Sequence, residues 1–194
     1  MAAQHYVIVI YGLGDHRGRR TALHPYWRWL GIEGEIYRVI WRDKSPSFEE
    51  KLNKLTACID EQTAKGKKVS LIGISAGASA AVNAYMRRRD SIHKVVFVCG
   101  RLGKLDLINI SYYRRAPAFQ DSIQILSKNL TRLELKDKKK MLSLRPLYDE
   151  IVAVSTAEIP GVRNKRIISI GHVPSIVVAM TFYSPLIAKF IKSN

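Results

Sequence analysis

Cysteine is scarce: Cys58 and Cys99, 41 positions apart, are the only two in 194 residues. That separation gives neither a metal-ligand spacing nor a disulfide framework, so a reducing compartment is expected, with the cytoplasm as the default. No group of His, Cys and Asp has the spacing of a metal site, and neither a metal nor another cofactor is expected. Long hydrophobic runs are also missing. The apolar stretch from Tyr6 to Leu13 has no basic residue before it and charged, Gly-rich sequence after it, which suits a strand better than a signal peptide. The uncharged stretch from Val173 to Ala188 spans 16 residues and contains Pro174 and Pro185, too short and too broken for a membrane span. Acid is the other shortage, with 16 Asp and Glu against 32 Lys and Arg, a net charge of +16. Such an excess favours solubility and anionic partners and says nothing about fold. No nucleic-acid motif accompanies it and aromatics do not interleave with the basic runs, so no specific nucleic acid is expected.

What is present fits one globular unit. The chain is 47% hydrophobic and 25% charged, which excludes a disordered polymer, and a chain of this length buries roughly 70% of its unfolded surface without a staple. Neither an internal repeat nor a Pro/Gly/Ser-rich linker divides it, so residues 1–194 are expected as a single domain. Tyr6 to Tyr11 is a continuous β-branched run, the pattern of a strand buried on both faces. Pro25 opens a short helix reaching Leu30, and Glu35 to Trp41 reads as a second strand. Ser47 and Glu50 make a capping box, and Phe48, Leu52, Leu55 and Ile59 mark one apolar helix face ending before Gly66. Val69 to Ile74 is a strand, Ala76 to about Arg89 a helix, and Lys94 to Cys99 another strand. This alternation predicts an α/β fold, a mostly parallel sheet covered by helices on both faces. Residues 101–140 break the rhythm and are expected as a small insertion or lid: Tyr112 to Pro117 reads as loop, followed by a helix face of Ile123, Leu126, Leu130 and Leu133. Met141 to Leu144 and Arg166 to Ile170 read as two further strands, and the chain ends in a helix after Pro174.

Gly73-Ile74-Ser75-Ala76-Gly77 fits G-x-S-x-G, the nucleophile elbow that places a Ser on a tight turn between a strand and a helix. Gly73 and Gly77 flank the Ser because strand and helix there approach too closely for side chains. A serine hydroxyl needs an imidazole to take its proton and an acid to orient that imidazole. Of five histidines, His172 follows the Arg166 to Ile170 strand and Gly171, placing it at the carboxyl edge of the sheet beside Ser75. His16 follows the first strand, where a solvated loop position competes with a place at the site; His5, His24 and His93 look like surface or strand-leading residues. Asp149, beyond the Met141 strand, is the leading acid, with Glu150 as its alternative. The competing role for either carboxylate is to cap a short helix over Ile151 to Ala157.

Gly12-Leu13-Gly14 after the first strand, Gly73 to Gly77, Tyr148-Asp-Glu-Ile-Val152 and Gly171-His172 together resemble the α/β-hydrolase superfamily in a small, nearly capless form. The resemblance covers essentially the whole chain. It implies a three-layer fold and a Ser75-His172-Asp149 triad that hydrolyses a carboxylic ester or thioester through an acyl-enzyme. It also implies an oxyanion hole from the Leu13 and Ala76 N–H groups, although Tyr11 stands where the family usually has His before the glycine. Gly12, Gly14, His16 and Arg17 are candidates for the substrate mouth. Arg17, Arg19, Arg20, Arg114 and Arg115 either ring that mouth, favouring an anionic acyl substrate, or are solvated surface. Leu102, Leu105, Leu107, Ile108 and Ile110 either line an acyl pocket or form a packed edge of the core. Two other functions share these residues: a catalytically silent binding module for an acidic partner, and an acyltransferase using the same triad.

Overall fold

The computed structural model describes residues 4–14, 21–43, 45, 47–103 and 110–193. Its elements in chain order are β1 (His5–Ile10), β2 (Thr21–Ala22), α1 (Tyr26–Trp29), β3 (Glu33–Tyr37), α2 (Phe48–Ala64), β4 (Lys68–Ile74), α3 (Gly77–Arg87), β5 (Ile92–Val98), α4 (Ile110–Arg115), α5 (Pro117–Leu130), α6 (Leu135–Lys138), β6 (Met141–Arg145), a 3₁₀ turn (Val154–Thr156), β7 (Arg163–Arg166), α7 (His172–Met180) and α8 (Ser184–Lys192). Seven strands form one sheet in the order β2-β3-β1-β4-β5-β6-β7. All neighbours pair in parallel except β2 with β3. From β1 the chain goes to β3 on one side and then to β4 on the other. The crevice at the carboxyl ends of β1 and β4 is therefore a topological switch point, where open α/β sheets place their ligands.

The continuous apolar strands serve two cores. Tyr6, Ile8, Ile10, Val69, Leu71, Val95 and Phe97 face one side, whereas Val7, Val9, Ile72, Ile74, Val96 and Val98 face the other. Over the first side lie α2, α3 and α5; over the second lie α1, α7 and α8. Helix α2 begins at the expected box, with Ser47 N–H donating to Glu50 Oε2 (2.9 Å) and Glu50 N–H to Ser47 Oγ (3.3 Å). A buried polar seam joins α3 to α5: Ser79 and Ser122 hydroxyls meet at 2.8 Å, Asn83 donates to the Ser122 carbonyl, and Asn129 donates to Asn83. Beyond it, buried Asp137 accepts from the Tyr85 hydroxyl (2.7 Å) and the Glu134 N–H (2.8 Å) and lies 3.4 Å from Arg89. Burial raises the Tyr85 pKa, and the Asp137 carboxylate raises it further.

Several boundaries depart from the sequence reading. The second strand ends at Tyr37 rather than Trp41, because Ile40 turns to φ 59°. The buried Lys51 ammonium holds that turn, donating to the Ile40 and Asp43 carbonyls. The segment expected as loop at Tyr112 to Pro117 is helix α4, and Pro117 opens α5, a position where its missing N–H costs nothing. Leu133 lies beyond that helix, although it is buried in the same core. The last strand is Arg163–Arg166, not Arg166 to Ile170. It is a fully exposed edge strand, so it shows none of the apolar pattern that marked the inner ones. Beyond the 3₁₀ turn, Glu158 pairs with Arg145. Within the segment expected as a lid, α5 belongs to the helix layer packed on α3 and Leu102 is a core residue, while Leu105, Leu107 and Ile108 lie outside the described residues.

Candidate active site

Strand β4 delivers Ser75 to the switch point. Its backbone stands at φ 52°, the left-handed region that costs a non-glycine residue energy and that crowded surroundings must hold in place. The crowding is concrete. A Cβ on Gly77 would sit 2.1 Å from the Ile10 carbonyl oxygen, and one on Gly73 would sit 2.6 Å from the Ala78 Cα. Gly12 is buried, and a Cβ there would lie 2.9 Å from the Ser75 Cβ. It packs against the Ser75 turn and is not among the residues that line the pocket there. Sequence reasoning missed Gly100, where a Cβ would meet the Ala78 Cβ at 2.3 Å. Its signal was its position just after a strand end, the same one Gly12 occupies after β1. Cys99, beside it, also takes a left-handed conformation at φ 51°. Burial and then the Asp149 charge push the Cys99 thiol up to about 12, so it stays protonated and inert at neutral pH.

His172 is the first residue of α7, not a loop residue, and Gly171 before it adopts φ 88° to turn the chain into the helix. The ring joins the two other expected residues: Nε2 lies 2.9 Å from Ser75 Oγ and Nδ1 lies 2.7 Å from Asp149 Oδ2. Asp149 Oδ1 accepts from the Ile151 N–H (2.9 Å) and the Val152 N–H (2.7 Å). Burial works to raise the Asp149 pKa, but the hydrogen bonds from His172, Val152 and Ile151 outweigh it and hold the carboxyl below its ordinary value. An ionised carboxylate only accepts, so Nδ1 carries the proton and a neutral ring leaves Nε2 open to accept from the Ser75 hydroxyl. Glu150, the alternative acid, does not approach the ring; both its oxygens accept from the His172 backbone N–H (3.1 and 3.0 Å), fixing the start of α7.

Leu13 and Ala76 both line the pocket at Ser75, and neither backbone N–H donates to another described residue. Two hydrogen bonds brace the loop that carries Leu13: Tyr11 N–H donates to the Tyr37 carbonyl (3.1 Å), and the Trp41 indole donates to the Tyr11 carbonyl (3.0 Å). The pocket is small, about 50 Å³, and opens to solvent, walled also by Ser79, Arg101, Tyr112, Phe119, Ile151 and Val152. Arg101 is a lining cation that the sequence reading passed over. Arg114 and Arg115 are exposed on α4 and do not line this pocket; Gly14 is exposed with open space around it; His16, Arg17, Arg19 and Arg20 lie outside the described residues. The His5 and His93 rings lie 5.6 Å apart, tilted by 45°, where β1 and β5 begin, the opposite end of the sheet from Ser75. Among the described residues no group of three or more His, Cys, Asp or Glu could hold a metal ion.

No family model matches the sequence, and no curated protein matches it significantly. Solved structures do match, over nearly the full length. One belongs to LipS and LipT, two metagenome-derived lipolytic enzymes, at TM-score 0.66 and 13% identity, covering 99% of this chain and 95% of that one. MGS-MChE2, an α/β hydrolase from a lagoon-sediment metagenome, matches at TM-score 0.63 and 18% identity, covering 98% and 92%. The chain has the α/β-hydrolase fold. A monoacylglycerol lipase from Paleococcus ferrophilus shares it at TM-score 0.62 and 15% identity, covering 96% and 93%. Within the α/β-hydrolase fold the residue chain Ser75-His172-Asp149 lies at the carboxyl ends of β4, β6 and β7.

Proposed function

We propose that the protein is a serine hydrolase that cleaves a carboxylic ester or thioester. The observation that carries this reading is the continuous hydrogen-bonded chain from Ser75 Oγ through the His172 ring to Asp149, beside a pocket lined by Leu13 and Ala76, whose backbone amides donate to no described residue. Ser75 Oγ attacks the acyl carbon while His172 Nε2 takes its proton, and Asp149 stabilises the imidazolium that forms. The oxyanion is met by the Leu13 and Ala76 N–H groups, donors fixed before the reaction begins. Collapse expels the alcohol or thiol, which leaves with the proton from His172, and Ser75 keeps the acyl group. Water, deprotonated by the same nitrogen, attacks the ester; the acid departs and the proton returns to Ser75. These steps draw on side chains, backbone and water alone. The mostly apolar walls and modest volume favour a short acyl group over a long lipid chain.

Intact protein treated with a fluorophosphonate tests the reading without knowledge of the substrate. Labelling should occur in the wild type and vanish in Ser75→Ala and His172→Ala. A well-folded wild type that does not label, or a Ser75→Ala variant that does, overturns it and returns weight to a silent binding module. Adding alcohol or amine acceptors to a turnover assay separates hydrolysis from acyl transfer.

A further inference from the structure

Six large apolar side chains that face water lie in α1, in α7 or in the segments beside α7. Trp29, Ile168, Ile170, Val173, Val177 and Phe182 are each 55–87% exposed. Trp29 and Phe182 line one groove. Phe182 adjoins Tyr183, whose hydroxyl accepts from the Ile168 N–H (3.0 Å), and Ile170 leads into α7, where Val173 and Val177 lie one turn apart. Helix α7 is turned against the usual rule for a surface helix. Its Ser175 and Ala179 face inward, while Val173, Pro174 and Val177 face solvent, and residues 172–188 contain no Lys, Arg, Asp or Glu.

A face of this kind needs a cover, and charge decides which. From residue 159 to the end the chain carries five Lys and Arg and no Asp or Glu. All five, Arg163, Lys165, Arg166, Lys189 and Lys192, are exposed, as is Arg28 beside Trp29. A second copy docked about a two-fold axis would set these cations against themselves, and the carboxylate held at the α7 start, Glu150, is a single charge already accepting from the His172 N–H. An anionic bilayer supplies what the face lacks: acyl chains for the valines and isoleucines, the headgroup boundary for Trp29 and Phe182, and negative charge for the cations. We propose that the α1/α7 face docks the protein onto an anionic lipid surface, lying on it without crossing it. No single described helix is long and apolar enough to span. Helices α7 and α8 bend by 57° at their junction, and α8 keeps Ile187, Ala188, Phe190 and Ile191 buried in the second core.

Trp29 makes its own reporter, because the other two tryptophans, Trp27 and Trp41, are 3% and 0% exposed. The full chain is mixed with vesicles of phosphatidylcholine alone or with about one-third phosphatidylglycerol. Cosedimentation with the anionic vesicles, weakened by salt, is expected, together with a blue shift of tryptophan emission and quenching by brominated acyl chains that Trp29→Phe removes. Val177→Asp combined with Phe182→Ser should lower partitioning by about tenfold or more while leaving the circular dichroism and melting temperature in place. Ser75→Ala should bind as the wild type does, so this outcome is independent of the hydrolase reading. The proposal fails if anionic vesicles do not bind, if the double variant binds undiminished, or if bound protein is not quenched. It fails equally if sedimentation velocity finds a dimer that Val177→Asp dissociates, which would give the face to a second copy.

Discussion

The two helix layers on this sheet are finished differently. Over the first core, the outer surface is polar and paired: Arg87 meets Glu49, Arg88 forks onto both oxygens of Asp60 at 2.7 and 2.9 Å, and Arg89 reaches Glu134 and Asp137. Over the second, apart from the His172–Asp149 contact at the start of α7, none of the ion pairs among the described residues involves α1, α7 or α8, and α7 shows solvent an apolar side. Ser75 leads into a helix of the first layer, and His172 begins a helix of the second. The two ends of the Ser75–His172 hydrogen bond therefore sit at the seam between the polar, paired layer and the apolar one.

Breaking the seam should give the largest effect. With any ester the protein turns over, Ser75→Ala should cost about 10⁴-fold or more in kcat, and Asp149→Asn on the order of 10³ to 10⁴, because Asn no longer fixes the Nδ1–H tautomer. Circular dichroism should be unchanged in Ser75→Ala. The layers themselves are contrasted by Asp137→Ala against Val177→Asp. The first strands the buried Tyr85 hydroxyl and should cost about 2–4 kcal/mol by urea unfolding; the second, on an exposed apolar position, should stay within about 0.5 kcal/mol.

A pH titration of stability sharpens the contrast on the Asp149 side. Its folded pKa is lowered, so its contribution is present above the unfolded carboxyl value of about 3.9 and disappears as pH falls through the folded value. Asp149→Asn should flatten that acid limb of the unfolding free energy. Glu150→Gln, which keeps an acceptor for the His172 N–H and loses only the charge at the α7 start, should cost about 0.3–1 kcal/mol by urea unfolding. Equal losses of turnover in Glu150→Gln and Asp149→Asn would contradict the separate placements of the two carboxylates.

The inner sheet and the placement of the Ser75 turn were legible because their constraints are local. Strand β1 is a continuous apolar run, the box at Ser47 spells its own geometry, and the glycines around Ser75 are forced by contacts within a strand-turn-helix unit. Where contacts come from distant elements the sequence was silent. Gly100 is small because Ala78 lies against it, and Arg101 reaches the pocket from the end of a neighbouring strand. Asp149 and Glu150, adjacent in sequence, could be separated only once α7 was placed, one carboxylate facing the ring and the other the backbone N–H. The edge strand β7 was misplaced toward Ile167 and Ile168 because isoleucines outrank arginines as a strand signal. The helix at Ile110–Arg115 was lost because Pro117 looked like part of a loop.

The edges of the sheet also bear on how the protein behaves in a crowd. A parallel sheet with bare margins offers its unpaired amides to any passing strand. Here one margin is closed by the two-residue antiparallel β2, too short to template a neighbour, and the other is β7, whose residues Arg163, Asn164, Lys165 and Arg166 are all exposed. Three like charges in four positions repel a copy of themselves at the spacing at which strands would have to join. The chain can thus keep an apolar patch open on one face without inviting fibre-like growth along the sheet, because the geometry that would propagate it is electrostatically blocked.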